Sequence, residues 1–140
     1  MKIVKDKDAL SMVSDSIQSV SEYKFYKGQL KRAITELGGH LQGCSCIQIG
    51  RPVRAFAVRN PRTKEYSYVF NPNVKLKLGI RLSYEGCLSC SNRHFVTRPL
   101  FVLASWEDED GKKVTKFLGP KKSRIFMHEM DHLNGKVIGN

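Results

Sequence analysis

The sequence contains no apolar run near the roughly 20 residues that a membrane-spanning helix requires. Its first eight residues also lack the apolar core of a secretion signal. We therefore expect a cytoplasmic protein with no membrane partner. In that reducing compartment its four cysteines would be thiols, metal ligands or redox groups rather than disulfides. A length of 140 residues predicts one folded domain spanning residues 1–140. The composition, 41% hydrophobic and 26% charged, argues against wholesale disorder and coiled coil.

Acidic residues are scarce. Thirteen Asp and Glu face 24 Lys and Arg, which gives a formal net charge of +11. Such a charge attracts polyanions such as nucleic acid, the ribosome surface or an acidic membrane surface. Scattered basic side chains that only solvate the surface would give the same composition, so the charge alone leaves the partner open.

The spacing of apolar residues predicts helices at both ends of the chain. Residues 9–38 show a helical pattern, strongest from Leu30 to Leu37, and Gly38-Gly39 would stop that helix. A second helix is predicted after Gly119-Pro120 and runs to about Leu133, where Asn134-Gly135 is typical of a helix C-terminus.

Between the helices the pattern changes to short strands. A turn at Asn60-Pro61 separates the first two of these, and Asp108-Gly111 separates the last two. The order of elements predicts an α+β fold of mostly antiparallel strands packed around the late helix. The predicted strands are Arg54–Val58, Tyr66–Phe70, the alternating run Val74–Leu82, Leu100–Trp106 and Lys113–Leu118.

The late helix contains the pentapeptide His128-Glu129-Met130-Asp131-His132. Two histidines four residues apart project from one helix face and can bind one metal ion, and Glu129 can then reach a water on that ion. A catalytic metal site requires three protein ligands and one open position. The eight residues after His132 offer no good ligand, so we expect the third ligand upstream. The candidates are Cys44, Cys46, Cys87, Cys90, His40, His94 and the carboxylates.

Three blocks of the sequence together resemble the peptide deformylase family. Glu85-Gly86-Cys87-Leu88-Ser89 matches the family's cysteine block at every position, and residues 128–132 match its helix block. Gly43 to Gly50 is similar to its first block, which ends in a glutamine, here Gln48. The chain departs from the family pattern at five positions: Leu41 replaces a glycine, Cys44 an apolar residue, Ser45 and Cys46 two alanines, and Met127 a glutamine.

The resemblance implies a fold, an activity and a set of site residues. Cys87, His128 and His132 would hold one divalent ion, Fe²⁺ in the cell, with Zn²⁺ or Ni²⁺ as possible substitutes. The reaction would remove the formyl group from the N-terminal formylmethionine of nascent polypeptides and release formate. Water activated by the ion would attack the formyl carbon, with Glu129 as general base and then general acid. The Gln48 amide and the backbone N–H of Leu88 would stabilise the oxyanion.

The resemblance also implies a substrate pocket. Gly43 would let a substrate strand approach the backbone, and Gly86 would permit the bend that turns Cys87 inward. Arg124, Ile125 and Ser83 fall where the family binds the methionine side chain. Beside these residues, Glu85 could be structural and Arg98 could clamp a nearby carboxylate. Asp131 could support a ligand histidine or be an exposed acid of the helix.

The expected partners are a formylmethionyl peptide and, through the basic surface, the ribosome. We expect a monomer. The short chain resembles phage-encoded members without the family's C-terminal helix, which would place it in a bacterial host's cytoplasm. Two acid-free basic stretches would supply the ribosome contact: Arg51, Arg54, Arg59, Arg62 and Lys64, and Lys112, Lys113, Lys116, Lys121, Lys122 and Arg124.

Two other interpretations remain open at this stage. Cys44 and Cys46 could join Cys87 and Cys90 in a four-thiolate structural zinc site of a nucleic-acid-binding protein. That interpretation leaves His128, Glu129 and His132 without a role. The second alternative is a deformylase-like protein that has lost catalysis, which the altered first block would allow.

Overall fold

The computed structural model of the protein describes residues 2–90 and 92–138. The described residues form three α-helices, seven strands and a short 3₁₀ helix after the first strand. The helices are α1 (Lys7–Leu10), α2 (Val20–Glu36) and α3 (Pro120–Leu133), and the 3₁₀ helix is Cys46–Ile49. The strands are β1 (Gly43–Ser45), β2 (Ala55–Arg59), β3 (Tyr66–Leu78), β4 (Arg81–Glu85), β5 (His94–Arg98), β6 (Phe101–Glu107) and β7 (Lys113–Leu118).

The strands form two antiparallel sheets, so the predicted α+β class with mostly antiparallel strands is confirmed. The larger sheet has the order β1-β2-β3-β6-β7, with β1 at one edge. The smaller sheet is the hairpin of β4 and β5, in which Glu85 pairs with His94 and Arg81 with Arg98. The larger sheet supplies β1 to the site, and the hairpin supplies the segment that follows Glu85.

Helix α3 packs one apolar face against the larger sheet. Phe126 makes an edge-to-face contact with Phe56 at 5.1 Å between ring centroids, and Met130 and Leu133 join the same buried cluster. Pro120 occupies the first turn, where its missing N–H costs nothing. The helix ends at Leu133 and Gly135 follows with a φ of +75°, which confirms the predicted boundary.

The predicted helix over residues 9–38 is wrong in its middle. Helix α1 ends at Leu10 and α2 begins at Val20, so residues 11–19 are extended or irregular. The Ser14 N–H donates to the Leu133 carbonyl at 2.9 Å, and Asp15 forms an isolated parallel bridge with Val53. Serine is a weak helix former, and these long-range backbone bonds replace the helical ones.

The predicted strand from Val74 to Leu82 is also wrong in its bounds. Strand β3 begins at Tyr66, continues past an irregularity at Asn71 and ends at Leu78, because Gly79 turns the chain with a φ of +73°. Val74 packs against the core cluster, but the apolar face of the run is solvent-exposed after it. Its exposed side chains are Leu76, Leu78, Ile80 and Leu82.

Within residues 2–90 and 92–138, no helix combines the length and the apolar character that crossing a membrane requires.

Candidate metal centre

Three potential metal ligands meet where the hairpin approaches α3. Cys87, His128 and His132 each place one donor atom within 4.8 Å of the others. Cys87 Sγ lies 3.3 Å from His132 Nε2. In the described part of the chain this is the one group of three or more such residues close enough to share an ion. The sequence-predicted ligands are therefore brought together.

Each ligand owes its position to its local structure. His128 and His132 are four residues apart on α3, so they share one helix face, with ring centroids 5.2 Å apart. Cys87 follows the end of β4, two residues after Glu85, and the antiparallel pairing with β5 directs this end of the hairpin towards α3.

Glu85 orients His128. Glu85 Oε1 lies 2.9 Å from His128 Nδ1, which leaves Nε2 of that ring to face the cluster. Arg98 Nη2 donates to Glu85 Oε1 at 2.8 Å and Arg98 Nε donates to Oε2 at 3.0 Å, so Arg98 clamps the Glu85 carboxylate. Arg98 Nη1 also donates to Asp131 Oδ2 at 2.5 Å. Asp131 thus reaches His128 through Arg98 and Glu85.

Hydrogen bonds and charges within this network shift the pKa values of its acidic and basic side chains. Burial raises the pKa of Glu85, but hydrogen bonds from His128 and Arg98 outweigh it and hold that pKa well below its usual range. Burial also opposes ionisation of Cys87, yet hydrogen bonds from His128 and His132 lower its pKa to about 6. Although burial lowers the pKa of His128, its bonds to Cys87 and Glu85 raise it to about 10. The site therefore favours a thiolate at Cys87.

The donor set fits a single divalent cation. A thiolate and two imidazoles suit Zn²⁺ and other first-row transition metals. His132 is 2% exposed and directs Nε2 towards Cys87. Its Nδ1 has no hydrogen-bond partner among the described residues. A metal would therefore be held by Cys87, His128 and His132, with Glu85 supporting one of the histidines.

Glu129 and Gln48 lie beside the three ligands and are both buried, 4% and 2% exposed. Gln48 Nε2 donates to Cys87 Sγ and to Ser89 Oγ, each at 3.3 Å. Glu129 Oε1 accepts a hydrogen bond from Ser45 Oγ at 2.6 Å. Ser45 was not among the predicted site residues, although a hydroxyl where the family pattern has alanine was a visible signal.

A cavity of about 300 Å³ opens onto these groups. Its lining includes the sequence-predicted catalytic residues Gln48, Leu88 and Glu129. Arg93 and Tyr84 also line it and were missed, because they lie outside the three sequence blocks. Ser83 is absent from the lining and is buried within β4. The four predicted substrate-binding residues, Gly43, Gly86, Arg124 and Ile125, all border the cavity.

The cysteines do not form the alternative four-thiolate site. Within the described ranges, only Cys87 of the four belongs to a group of possible metal ligands. Cys44 and Cys46 are fully buried, and burial raises the pKa of Cys44 to about 12 and that of Cys46 further. Cys90 Sγ faces the carbonyl of Ile138 at 3.8 Å. Cys44 and Cys46 are thus packing residues beside the site.

Two histidines and a glutamate in a His-Glu-x-x-His pattern on a helix, with a cysteine from upstream as third ligand, are typical of the metal centres of metallohydrolases. The model of one family in that class, Polypeptide deformylase, matches residues 1–140. The chain belongs to the polypeptide deformylase family.

Individual proteins agree with this family. The peptide deformylase of Borreliella burgdorferi is 34% identical over 103 residues, which cover 69% of this chain and 59% of that protein. The peptide deformylase of Bifidobacterium adolescentis is 41% identical over 71 residues, covering 49% of this chain and 33% of that protein. These matches span less than two thirds of either curated relative.

Solved structures match over nearly the whole chain. Peptide deformylase 1B of Arabidopsis thaliana in complex with an inhibitor is 26% identical with a TM-score of 0.86, covering 98% of this chain and 78% of that one. A probable peptide deformylase from Synechococcus phage S-SSM7 is 25% identical with a TM-score of 0.85, covering 98% and 95%.

Proposed function

We propose that this protein is a metal-dependent hydrolase that removes the formyl group from the N-terminal formylmethionine of nascent polypeptides and releases formate. We further propose that residues 1–140 form a single catalytic domain. The observation that carries the proposal is the convergence of Cys87, His128 and Glu129 on one cavity. Family membership points to the same chemistry.

The chemistry is divided between the ion and the side chains around it. A divalent ion bound at the centre supplies Lewis-acid chemistry, which makes water a nucleophile near neutral pH. Glu129 takes the proton from the attacking water and later delivers it to the departing amine. Gln48 Nε2 and the backbone N–H of Leu88 donate to the oxygen that becomes negative during attack.

The hydrogen bonds around Gln48 support its role. Gln48 Oε1 accepts from the Ser45 N–H at 3.0 Å, so the amide must turn its NH₂ group towards the ligands. That orientation is fixed before a substrate binds, which is what makes an oxyanion donor effective.

The surroundings of the cavity support an extended peptide as substrate. Gly43 lies on β1, an edge strand of the larger sheet, where a peptide strand can add by backbone hydrogen bonds. Ile125 gives the cavity an apolar wall, and Arg93 and Arg124 place two cationic side chains in its lining. We therefore expect Gly43 and Gly86 to contact the peptide backbone, and Ile125 and Arg124 to contact the first side chain.

For the cofactor we propose Fe²⁺ in the cell, with Zn²⁺ or Ni²⁺ able to replace it. Metal analysis of protein purified without oxygen tests this choice, since oxygen oxidises Fe²⁺ to Fe³⁺ during purification.

For partners we propose a monomer that works in the cytoplasm and binds the ribosome through its basic surface. Arg54 does not belong to that surface, because its guanidinium donates to the Leu133 carbonyl and to Asn134 Oδ1. Arg51 and Lys122, one from each basic stretch, are exposed. Co-sedimentation with ribosomes should weaken as salt is added, and binding insensitive to salt would contradict this contact.

The decisive experiment measures formate release from a formyl-Met peptide by anaerobically purified protein. Glu129→Gln should lower kcat by at least about 100-fold, because general acid–base catalysis typically contributes that much. Glu65→Gln is the matched control, since Glu65 is exposed, lies just before β3 and does not line the cavity. Absence of formate release by the metal-loaded wild type would favour the deformylase-like protein without catalysis. Full activity of the Glu129 variant would remove the proposed base.

A further inference from the structure

Ser45 contacts both side chains that the proposed chemistry uses. It is the last residue of β1 and is fully buried. Its hydroxyl donates to Glu129 Oε1 at 2.6 Å, across 84 residues of sequence. Its backbone N–H donates to Gln48 Oε1 at 3.0 Å. An O–H···O⁻ distance of 2.6 Å is in the range of strong, charge-assisted hydrogen bonds.

The opposite side of the Glu129 carboxylate is also restrained. A Cβ added to Gly43 would lie 2.5 Å from Glu129 Oε2, so this oxygen packs closely against the β1 backbone. The hydroxyl of Ser45 therefore holds one oxygen, while the bare backbone at Gly43 makes room for the other. Among the residues that the structure describes, none donates a hydrogen bond to Oε2, so this oxygen keeps an open hydrogen-bonding position.

A glutamate side chain has three rotatable torsions, and α3 fixes only its Cα position. Other rotamers would withdraw the carboxylate from the cavity or leave it buried without a donor, which is costly. We propose that Ser45 is a positioning residue: its hydroxyl holds the Glu129 carboxylate in the orientation that directs Oε2 at the reacting water. The inference rests on the proposed function, because it assigns to Ser45 a role through the base of that reaction.

The two contacts of Ser45 can be separated experimentally. Ser45→Ala removes the hydroxyl but keeps the backbone N–H that orients Gln48. Ser45→Thr keeps a hydroxyl on a residue type that strands favour. Ser105→Ala is the matched control, because Ser105 is 2% exposed on β6 and does not line the cavity.

The first measurement is steady-state formate release from a formyl-Met peptide, with bound metal quantified for every variant. We expect Ser45→Ala to lower kcat by about 10-fold, the loss typical of one hydrogen bond to a charged group, with KM and metal content within twofold of wild type. Ser45→Thr should recover most of that loss, and Ser105→Ala should show none. A merely structural role would instead reduce metal content or leave kcat per bound metal unchanged.

The second measurement tests the contact without using activity. Urea unfolding of the metal-loaded wild type, Ser45→Ala, Glu129→Ala and the double variant forms a double-mutant cycle. If the two side chains interact, Ser45→Ala should change the unfolding equilibrium constant at least about fivefold less when Glu129 is already alanine. Strict additivity would overturn the inference, as would a wild-type kcat in Ser45→Ala.

The failures of the two proposals differ. If the wild type releases formate and Glu129→Gln does not, but Ser45→Ala equals wild type, only the positioning role falls. If the metal-loaded wild type releases no formate, the proposed function falls and takes the positioning role with it, whatever coupling the unfolding cycle records.

Discussion

Glu85 and His128 are joined by a partly buried hydrogen bond of 2.9 Å between Oε1 and Nδ1, which ties the hairpin to α3. Because Arg98 donates to both oxygens of the same carboxylate, Glu85 is held from two directions. The carboxylate thus selects which nitrogen of His128 faces the ligand cluster. Glu85 is not one of the three proposed metal ligands, yet it orients the ring of His128, which is one of them.

Replacing Glu85 by glutamine should weaken metal binding. Glu85→Gln leaves Arg98 with Asp131 as its remaining anionic partner in this network and weakens the bond that orients His128. We expect an affinity loss of about 10- to 100-fold, measured by competition with a chromogenic chelator. The exposed Glu65→Gln should bind metal as the wild type does. Equal affinities in the two variants would contradict an orienting role.

Two glycine-to-alanine substitutions should affect different properties, one the activity and the other the stability. At Gly43 a methyl group would lie 2.5 Å from Glu129 Oε2 and 3.1 Å from the Ala57 carbonyl, so Gly43→Ala should displace the carboxylate and reduce formate release.

At Gly28, in the interior of α2, an added Cβ meets nothing within 4 Å. Gly28→Ala should raise the free energy of unfolding by about 0.5–1 kcal/mol and leave activity unchanged. Chemical denaturation and formate assays check both.

The cysteine ligand can be distinguished from its neighbour by two serine substitutions. Cys87→Ser should abolish stoichiometric metal binding, because the thiolate is one of three donors. Cys90→Ser should retain both metal and turnover, since Cys90 Sγ contacts the Ile138 carbonyl and packs beside Leu10 and Val137. Metal analysis after gel filtration measures the difference. Loss of metal from the Cys90 variant would instead support a metal site that contains several cysteines.

Tyr23 should make the protein sensitive to alkali. Burial, followed by its hydrogen bond to Glu107, raises the pKa of Tyr23 to about 12. A tyrosine with a raised folded-state pKa contributes stability that is complete below pH 10, its unfolded value, and disappears as pH rises towards 12. Two pKa units correspond to a contribution on the order of 2 kcal/mol.

Tyr23→Phe should therefore show a flatter stability profile between pH 10 and pH 12. It should also be less stable at pH 7 by about 1 kcal/mol, because the hydrogen bond of 2.7 Å to Glu107 is lost. Urea unfolding followed across this pH range measures both effects. Parallel profiles for the variant and the wild type would place the alkaline sensitivity elsewhere.

The sequence predicted the late helix better than the earlier elements, for physical reasons. Helix α3 has a regular apolar face and clear end signals, so its bounds follow from local chemistry. Residues 11–19 were wrongly predicted as helix because their backbone partners, the Leu133 carbonyl and Val53, are distant in sequence. The break at Gly79 was missed because the alternation of leucines continues across it.

In the candidate site too, local sequence predicts some features, while contacts between residues distant in sequence determine others. His128 and His132 could be placed on one face from their spacing alone, whereas Cys87 was one of several upstream candidates until the cysteine block was considered as a whole. The contact between Ser45 and Glu129 could not be predicted from spacing, because 84 residues separate the two and no periodicity relates them.

The hairpin of β4 and β5 forms a sheet separate from the five-stranded one, and it carries Cys87 while α3 carries the two histidines. A cation shared by these three residues would hold the small sheet against the rest of the fold. By thermodynamic reciprocity, the free energy that chelation adds to hairpin docking equals the free energy that a docked hairpin adds to chelation. Loading the centre should therefore slow amide hydrogen exchange along residues 81–98 more than in the β2–β3 region.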